Sequence, residues 1–222
     1  MIRYENTFPA VFARRLNRFA AEVLIGGKSE RVHVKNTGRL QELLIPGTAV
    51  TLQKTDAPGR KTAYDLISVY RQDLGWVNID SLAPNMLMKQ YLLRQDYDIV
   101  KPEFTWGTSR IDFYMEKDGE RFLTEVKGCT LAADPARGTG LFPDAPTERG
   151  VKHLHELAAA AGEGFHCEIA FVIQMNGIHT VLPNDRTQPE FGKALQTAAD
   201  AGVRVSCYAC RVEADRIEII VG

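Results

Sequence analysis

The dipeptide Asp118-Gly119 constrains this chain more than any other short segment. It separates two runs with strand-like alternation, SRIDFYMEK and ERFLTEVKG. Asp-Gly is a favoured two-residue hairpin turn because both residues tolerate positive φ. A hairpin closed there pairs Lys117 with Glu120 and, five places further back, sets Asp112 opposite Glu125. Their Cβ atoms would lie roughly 4.5–5.5 Å apart on one face of the sheet. Lys127, two residues beyond Glu125, shares that face. Two carboxylates directly opposite one another repel. A divalent cation removes the repulsion, and Mg²⁺ takes oxygen ligands while keeping several waters, so one or two carboxylates suffice. With Lys127 to orient a water or stabilise developing charge, the arrangement suits metal-assisted hydrolysis of a phosphodiester. A solvated sheet face on which Lys127 neutralises the acid pair is the other reading of the same residues.

The surroundings of this hairpin suggest two units. Up to about residue 80, short strand-like runs (VFARRLNRFAAEVLI, RVHVKN, AVTLQKT, AYDLISVYR, WVNI) are punctuated by Gly26-Gly27, Asn36-Thr37-Gly38, Pro46-Gly47, Pro58-Gly59 and Asp73 to Gly75. Five or so strands in that length predict a small barrel or sandwich. SLAPNMLMKQYLLRQ then reads as a linking helix. From about residue 103, strands alternate with the helices TERGVKHLHELAAAA and EFGKALQTAADA, the pattern of an α/β layer structure. The expected units are 1–84 and 85–222. They differ in charge, with net +4 and −5 respectively. Basic modules meet polyanions more readily than acidic ones do. In the first unit, Arg14, Arg15, Arg18, Lys35, Arg39, Arg60 and Lys61 carry much of the charge, and Phe12, Phe19, Tyr64 and Tyr70 are available to stack on bases. The same aromatics would serve equally well as core.

Along the helix that starts near Glu148, Val151, Leu154, Leu157, Ala158 and Ala161 form one apolar arc at 3.6-residue spacing. Glu148, Arg149, Lys152, His153, His155 and Glu156 fall on the other. That polar arc reads either as an ordinary wet face or as the lining of a phosphate-binding cleft. Other chemistries lack their signatures. No zinc-type histidine spacing, P-loop, G-x-G-x-x-G or G-x-S-x-G elbow occurs. Cys207 and Cys210 form one C-x-x-C, but on a strand residues three apart face opposite ways, so buried thiols are expected rather than a zinc site. There is no apolar run of transmembrane length and no secretory h-region, so a cytoplasmic setting is expected and a membrane partner is not.

Six segments together resemble the sugar fermentation stimulation protein (SfsA-like) family: RRLNRFAAEV (14–23), NTGRL (36–40), PGTAV (46–50), SRIDF (109–113), EVKGCTL (125–131) and FPDAPTERGVKHLHEL (142–157). The last is the most specific. The resemblance spans nearly the whole chain. It implies a mixed α/β protein with an N-terminal OB-like β-barrel and a C-terminal α/β domain similar to PD-(D/E)xK nucleases. It also implies DNA binding and a regulatory role in sugar metabolism. Asp112, Glu125 and Lys127 match the nuclease-like motif; Glu148, Arg149, Lys152 and His153 match the helix signature. Related sequences usually carry an acid where Gln90 stands, and Ser-Val where Gly128-Cys129 stand.

The combined expectation is a DNA-binding protein with a Mg²⁺- (or Mn²⁺-) dependent phosphodiester-hydrolysing centre. Asp112, Glu125 and the carbonyl of Val126 hold the metal; Lys127, Glu148 and Lys152 complete the catalytic set. Arg14, Arg15, Arg18, Lys35, Asn36, Arg39, Lys61, Arg149 and His153 contact DNA, through phosphates and without strong sequence preference. A homo-oligomer is compatible with the sequence. Two rivals stand beside this reading: a non-enzymatic DNA-binding regulator that keeps the nuclease fold, and a protein that binds a small phosphorylated ligand.

Overall fold

In a computed structural model, residues 1–56 and 59–220 are described; Pro58, half of one expected turn, lies outside them. The first strands are β1 (Ile2–Arg3), β2 (Thr7–Asn17), β3 (Ala20–Ile25), β4 (Lys28–Val34), β5 (Ala49–Lys54), β6 (Tyr64–Arg71) and β7 (Gly75–Asn78). Strands β2 to β6 run in the order β4-β3-β2-β5-β6, and a parallel pairing of His33 and Val34 in β4 with Asp65 and Leu66 in β6 closes them into a barrel. Phe12, Val23, Val32, Leu52 and Leu66 fill it. Phe12 is thus core and is unavailable to stack on a base. The run read as one strand from Val11 to Ile25 is a hairpin, turned at Arg18-Phe19 without Gly or Pro. The Asn17 side chain does the turning: its Oδ1 accepts from the Phe19 amide at 2.9 Å.

The second unit holds α1 (Ala83–Leu92), β8 (Ile99–Trp106), β9 (Ser109–Lys117), β10 (Glu120–Cys129), β11 (Leu131–Asp134), β12 (Thr139–Phe142), α2 (Glu148–Gly162), β13 (His166–Ile173), β14 (Thr180–Pro183), α3 (Pro189–Asp200), β15 (Arg204–Glu213) and β16 (Arg216–Ile219). Its main sheet runs β1-β16-β15-β13-β10-β9-β8, so the chain's first strand leaves the barrel and edges this sheet. The central β10-β13-β15 pairs are parallel. Sheets of this kind are covered on both faces, and β13 is buried along almost its whole length. Ile169, Phe171 and Ile173 pack with Leu154 and Leu157 of α2, while the alternating Ala170 and Val172 pack with Leu87 and Met88 of α1. Strands β11, β12 and β14 form a small third sheet.

The expected hairpin register holds. Lys117 faces Glu120, and the ladder continues to Phe113 opposite Thr124. Asp118 and Gly119 have φ of 50° and 80°, the positive values a type I′ turn demands. No helix among the described residues is long and apolar enough to cross a membrane.

Candidate active site

Beyond Thr124 the β9–β10 ladder stops, and side chains take over from backbone. Asp112, the next residue of β9, accepts the Val126 amide on Oδ2 at 2.8 Å and the Asn85 amide group on Oδ1 at 2.7 Å. A carboxylate here stands in for the carbonyl that a continued ladder would offer. Glu125 projects toward α2. Its Oε1 receives the Lys127 ammonium at 2.6 Å and Nδ1 of His153. Its Oε2 is buried and has no hydrogen-bond partner among the described residues. The side chain is 3% exposed, so bulk solvent does not reach this oxygen.

The two carboxyls respond differently to burial. Asp112 is held above the usual aspartate range, by desolvation first and then by the Glu125 charge. Burial also pushes Glu125 upward, but the His153 hydrogen bond and the Lys127 charge together outweigh it and hold Glu125 below the usual range. The pair therefore favours one negative charge, on Glu125, and resists the second. The tautomer of His153 follows from its neighbours. Arg149 Nε donates to His153 Nε2 at 3.3 Å. Arginine is only a donor, so Nδ1 carries the imidazole proton and gives it to Glu125.

His153 corrects the helix-face reading. It was expected on the polar arc, yet it is 2% exposed. Gly150, His153, Leu154, Leu157 and Ala160 form the buried stripe. Glu148 and Arg149 at the start of α2, with Lys152 one turn on, border a hollow of about 470 Å³ together with Thr108, Ser109 and Arg110. Lys152 reaches the Thr108 carbonyl at 3.4 Å and lies 3.7 Å from Glu156. Helix α2 is started by Thr147, whose Oγ1 accepts from the Gly150 amide at 3.0 Å.

Sequence reasoning missed Asn85 and looked to Gln90 instead. Gln90 lies five residues further along α1, about 140° round the helix, and accepts from the terminal ammonium of Met1 at 2.8 Å. The residue that α1 brings to the acid pair is an amide. The sequence signal for Asn85 was its place in the first turn of the helix that crosses this sheet.

The basic residues of the barrel divide into several groups. Lys35 donates to the buried Asp80 at 2.6 Å. Arg15 donates to the carbonyls of Arg18, Asn36, Gly38 and Arg39 and so shapes the Asn36-Thr37-Gly38 loop. Asn36 closes that loop by accepting from the Gly38 amide at 2.8 Å. The Arg39 amide donates to Asp144 at 3.1 Å, which docks the loop on the segment leading into α2. Arg14 pairs with Glu22 at 2.6 Å. Arg18 and Lys61 are exposed.

The chain's similarity to known proteins agrees with this two-part layout. The SfsA N-terminal OB domain model matches residues 13–79, and the sugar fermentation stimulation protein RE domain model matches residues 80–216. The chain belongs to the sugar fermentation stimulation protein family. A homologue from Desulfitobacterium hafniense (strain DSM 10664 / DCB-2) is 46% identical over 220 residues, covering 98% of this chain and 95% of that one. One from Ruminiclostridium cellulolyticum is 44% identical over 222 residues, covering 98% and 96%. Among solved structures, SfsA of Pyrococcus furiosus in complex with Ca²⁺ superposes with a TM-score of 0.84 at 27% identity, covering 98% of this chain and 95% of that one. For this family the OB-like barrel and the α/β unit are the expected parts.

Proposed function

We propose that this protein binds DNA and hydrolyses phosphodiester bonds at the Asp112–Glu125 pair with a divalent metal, Mg²⁺ or Mn²⁺. The observation that carries the reading is the buried Oε2 of Glu125, unpartnered among the described residues, beside a second carboxylate held above the usual aspartate range. A buried anionic oxygen without a donor is costly, and a cation would satisfy it. The donor set fits a hard ion. It comprises two carboxylates and the Val126 carbonyl, all oxygen, and Mg²⁺ accepts so few protein ligands because it retains water. Among the described residues no group of three or more His, Cys, Asp or Glu is gathered for a metal, which disfavours a closed zinc-type cage. The Ca²⁺ bound by the Pyrococcus furiosus relative supports a divalent site in this family.

The metal, when bound, supplies Lewis-acid stabilisation of phosphate charge and a more acidic water. The protein residues prepare the ground. His153, with its tautomer fixed by Arg149, holds Glu125 Oε1 and leaves Oε2 free. Lys127 keeps Glu125 ionised and sits where an attacking water or the charge on a phosphorane would be stabilised. Arg149 and Lys152 line the adjoining hollow and receive the neighbouring phosphates. The barrel contributes sequence-independent affinity for the backbone.

The test is cleavage of labelled single- and double-stranded DNA in Mg²⁺, Mn²⁺ or EDTA, by wild type and Asp112→Asn. Metal-dependent cutting that the variant loses supports the reading. Cutting that persists in the variant rejects the assignment of Asp112. A second reading, DNA binding without turnover, is favoured by Asn85, since α1 adds an amide to the pair where a third acid would strengthen metal binding. Binding without cleavage by wild type would select it.

A further inference from the structure

The hollow bordered by Arg149 and Lys152 is also lined by His153, the donor to Glu125. It is lined at one side by Glu148 and Arg149. A second hollow, of about 520 Å³, is lined by Ala145 and Pro146 together with Arg18 and Arg39 of the barrel. Only Thr147, the residue that caps α2, separates the two linings along the chain. The second hollow shares Asn17 with a third, of about 440 Å³, whose lining includes Phe19, Arg31 and Lys61. Three hollows thus follow one another from the start of α2 to the barrel rim, the first bordered by His153, which holds Glu125, and the last by Phe19.

Phe19 is the anomaly on this track. It is 54% exposed at the tip of the β2–β3 hairpin. The other exposed aromatics of the barrel have ring partners: Phe8 sits edge-on to Tyr64, and Tyr70 edge-on to Trp76. Among the described residues Phe19 has none. Its backbone is nevertheless pinned at both ends, its amide by Asn17 Oδ1 at 2.9 Å and its carbonyl by the Val34 amide at 2.9 Å. The turn that presents the ring is therefore fixed, and the ring lines the same hollow as Arg31 and Lys61. The carboxylate directly across from Arg31, Glu22, is already occupied by Arg14.

The geometry points to single-stranded DNA as the ligand of this track, with one unpaired base stacked on Phe19 and its flanking phosphates on Arg31 and Lys61. A ring on a hairpin tip can stack only on a base that has left its own stack, and such stacking is tolerant of sequence. Duplex DNA presents no free base face there and would gain only the phosphate contacts. This deepens the proposed function by naming its substrate class, and rests on that reading only for the direction in which the strand runs toward Asp112.

The experiment is fluorescence anisotropy in EDTA with the full chain, using a labelled single-stranded oligonucleotide and the duplex of the same sequence. Wild type, Phe19→Ala and Phe19→Trp are compared. Wild type should bind the single strand more tightly. Phe19→Ala should lose about tenfold on the single strand and little on the duplex, and Phe19→Trp should keep the preference. All three should melt alike, because the side chain packs on no ring partner. Equal loss on both substrates, or no loss, overturns the proposal, as does absence of binding to either. The two readings fail separately. Phe19-dependent binding without metal-dependent cleavage removes the hydrolase and leaves the single-strand track. Cleavage unaffected by Phe19→Ala, together with unchanged affinity, does the reverse.

Discussion

Asp112 is stabilised by two hydrogen bonds and destabilised by its neighbour, and these effects can be separated. Asparagine keeps an oxygen for the Val126 amide and removes the charge that faces Glu125, while its NH2 replaces the oxygen that accepted from Asn85, whose amide must turn over to present its own oxygen. Without metal, Asp112→Asn should therefore match or exceed wild-type stability near neutral pH, by up to about 1 kcal/mol, the scale of a like-charge cross-strand pair. The sign with pH follows from the raised carboxyl. The folded state holds the Asp112 proton more tightly than the unfolded state does. Its contribution is thus favourable at low pH and is lost as pH rises from the ordinary aspartate value through the raised one. Glu125, held low, contributes in the opposite sense in both proteins and cancels from the comparison to first order. Urea midpoints in EDTA should show the variant's advantage growing as pH rises and vanishing in acid. With Mg²⁺ or Mn²⁺ added, only wild type should gain melting temperature. A wild type more stable than the variant in EDTA at neutral pH would contradict this account. His153→Ala removes a buried ring and the donor to Glu125 Oε1 together, so it should cost on the order of 3 kcal/mol and weaken metal-induced stabilisation. Thermal melts with and without metal measure both effects.

At the scale of elements, what could be read from the sequence depended on whether local chemistry sufficed. The β9–β10 hairpin was legible because Asp118-Gly119 dictates both turn type and register. The β2–β3 hairpin was not, since Asn17 replaces the expected turn residues with a side-chain hydrogen bond. Strand β1 is two residues long and gains its place only from β16 at the far end of the chain. In α2 the spacing was sounder than the chemistry. Residues 150, 153, 154, 157 and 160 lie on one stripe, and His153 belongs to it by position, but its polarity argued for the wet arc. Asn85 was hidden for another reason: nothing local says that the start of α1 meets the end of a ladder. Gly150 illustrates how packing overrides propensity. Gly→Ala within a helix ordinarily gains up to about 1 kcal/mol of stability, and Gly150 is the third residue of α2. Here the new Cβ would lie 2.8 Å from Thr147 Cγ2 and 3.3 Å from Phe191 Cε2. Thr147 is held by its cap and by its backbone amide, which donates to Gln188 Oε1 at 2.8 Å, so it yields poorly. Gly150→Ala should lower stability by about 1–2 kcal/mol. A raised melting temperature would show that the cap can move.

For the whole molecule, the question is whether barrel and sheet behave as one body. Apolar contact says yes: Phe12, Val32 and Leu52 of the barrel belong to the same buried cluster as Leu154, Ile169 and Phe191. A polar knot lies across the same junction. Gln174 donates to Asn78 at 2.8 Å and to the Asp80 carbonyl at 3.0 Å. Asn78 donates to the Tyr4 hydroxyl at 3.1 Å, which in turn reaches Asp80 at 3.2 Å. Lys35 completes the knot on Asp80. Burial and the nearby Asp80 charge push the Tyr4 phenol upward, so it stays a neutral donor. Removing one member of a buried ion pair leaves the other uncompensated and costs on the order of 3–5 kcal/mol; Lys35 keeps some solvent contact, which places Asp80→Ala toward the lower end. The two tryptophans report on the two sides. Trp76 lies on β7 beside Tyr70, and Trp106 on β8 beside Phe165. Single-tryptophan forms, Trp106→Phe and Trp76→Phe, should give coincident urea transitions in the otherwise wild-type chain, as a single cooperative unit requires. In the Asp80→Ala background the Trp76 transition should fall to lower urea than the Trp106 transition, because the barrel loses its polar anchor while the sheet keeps its own helices. Separate transitions without that substitution would mean that the shared apolar cluster does not couple the halves. The track from Phe19 to Asp112 would then lack the fixed spacing it needs.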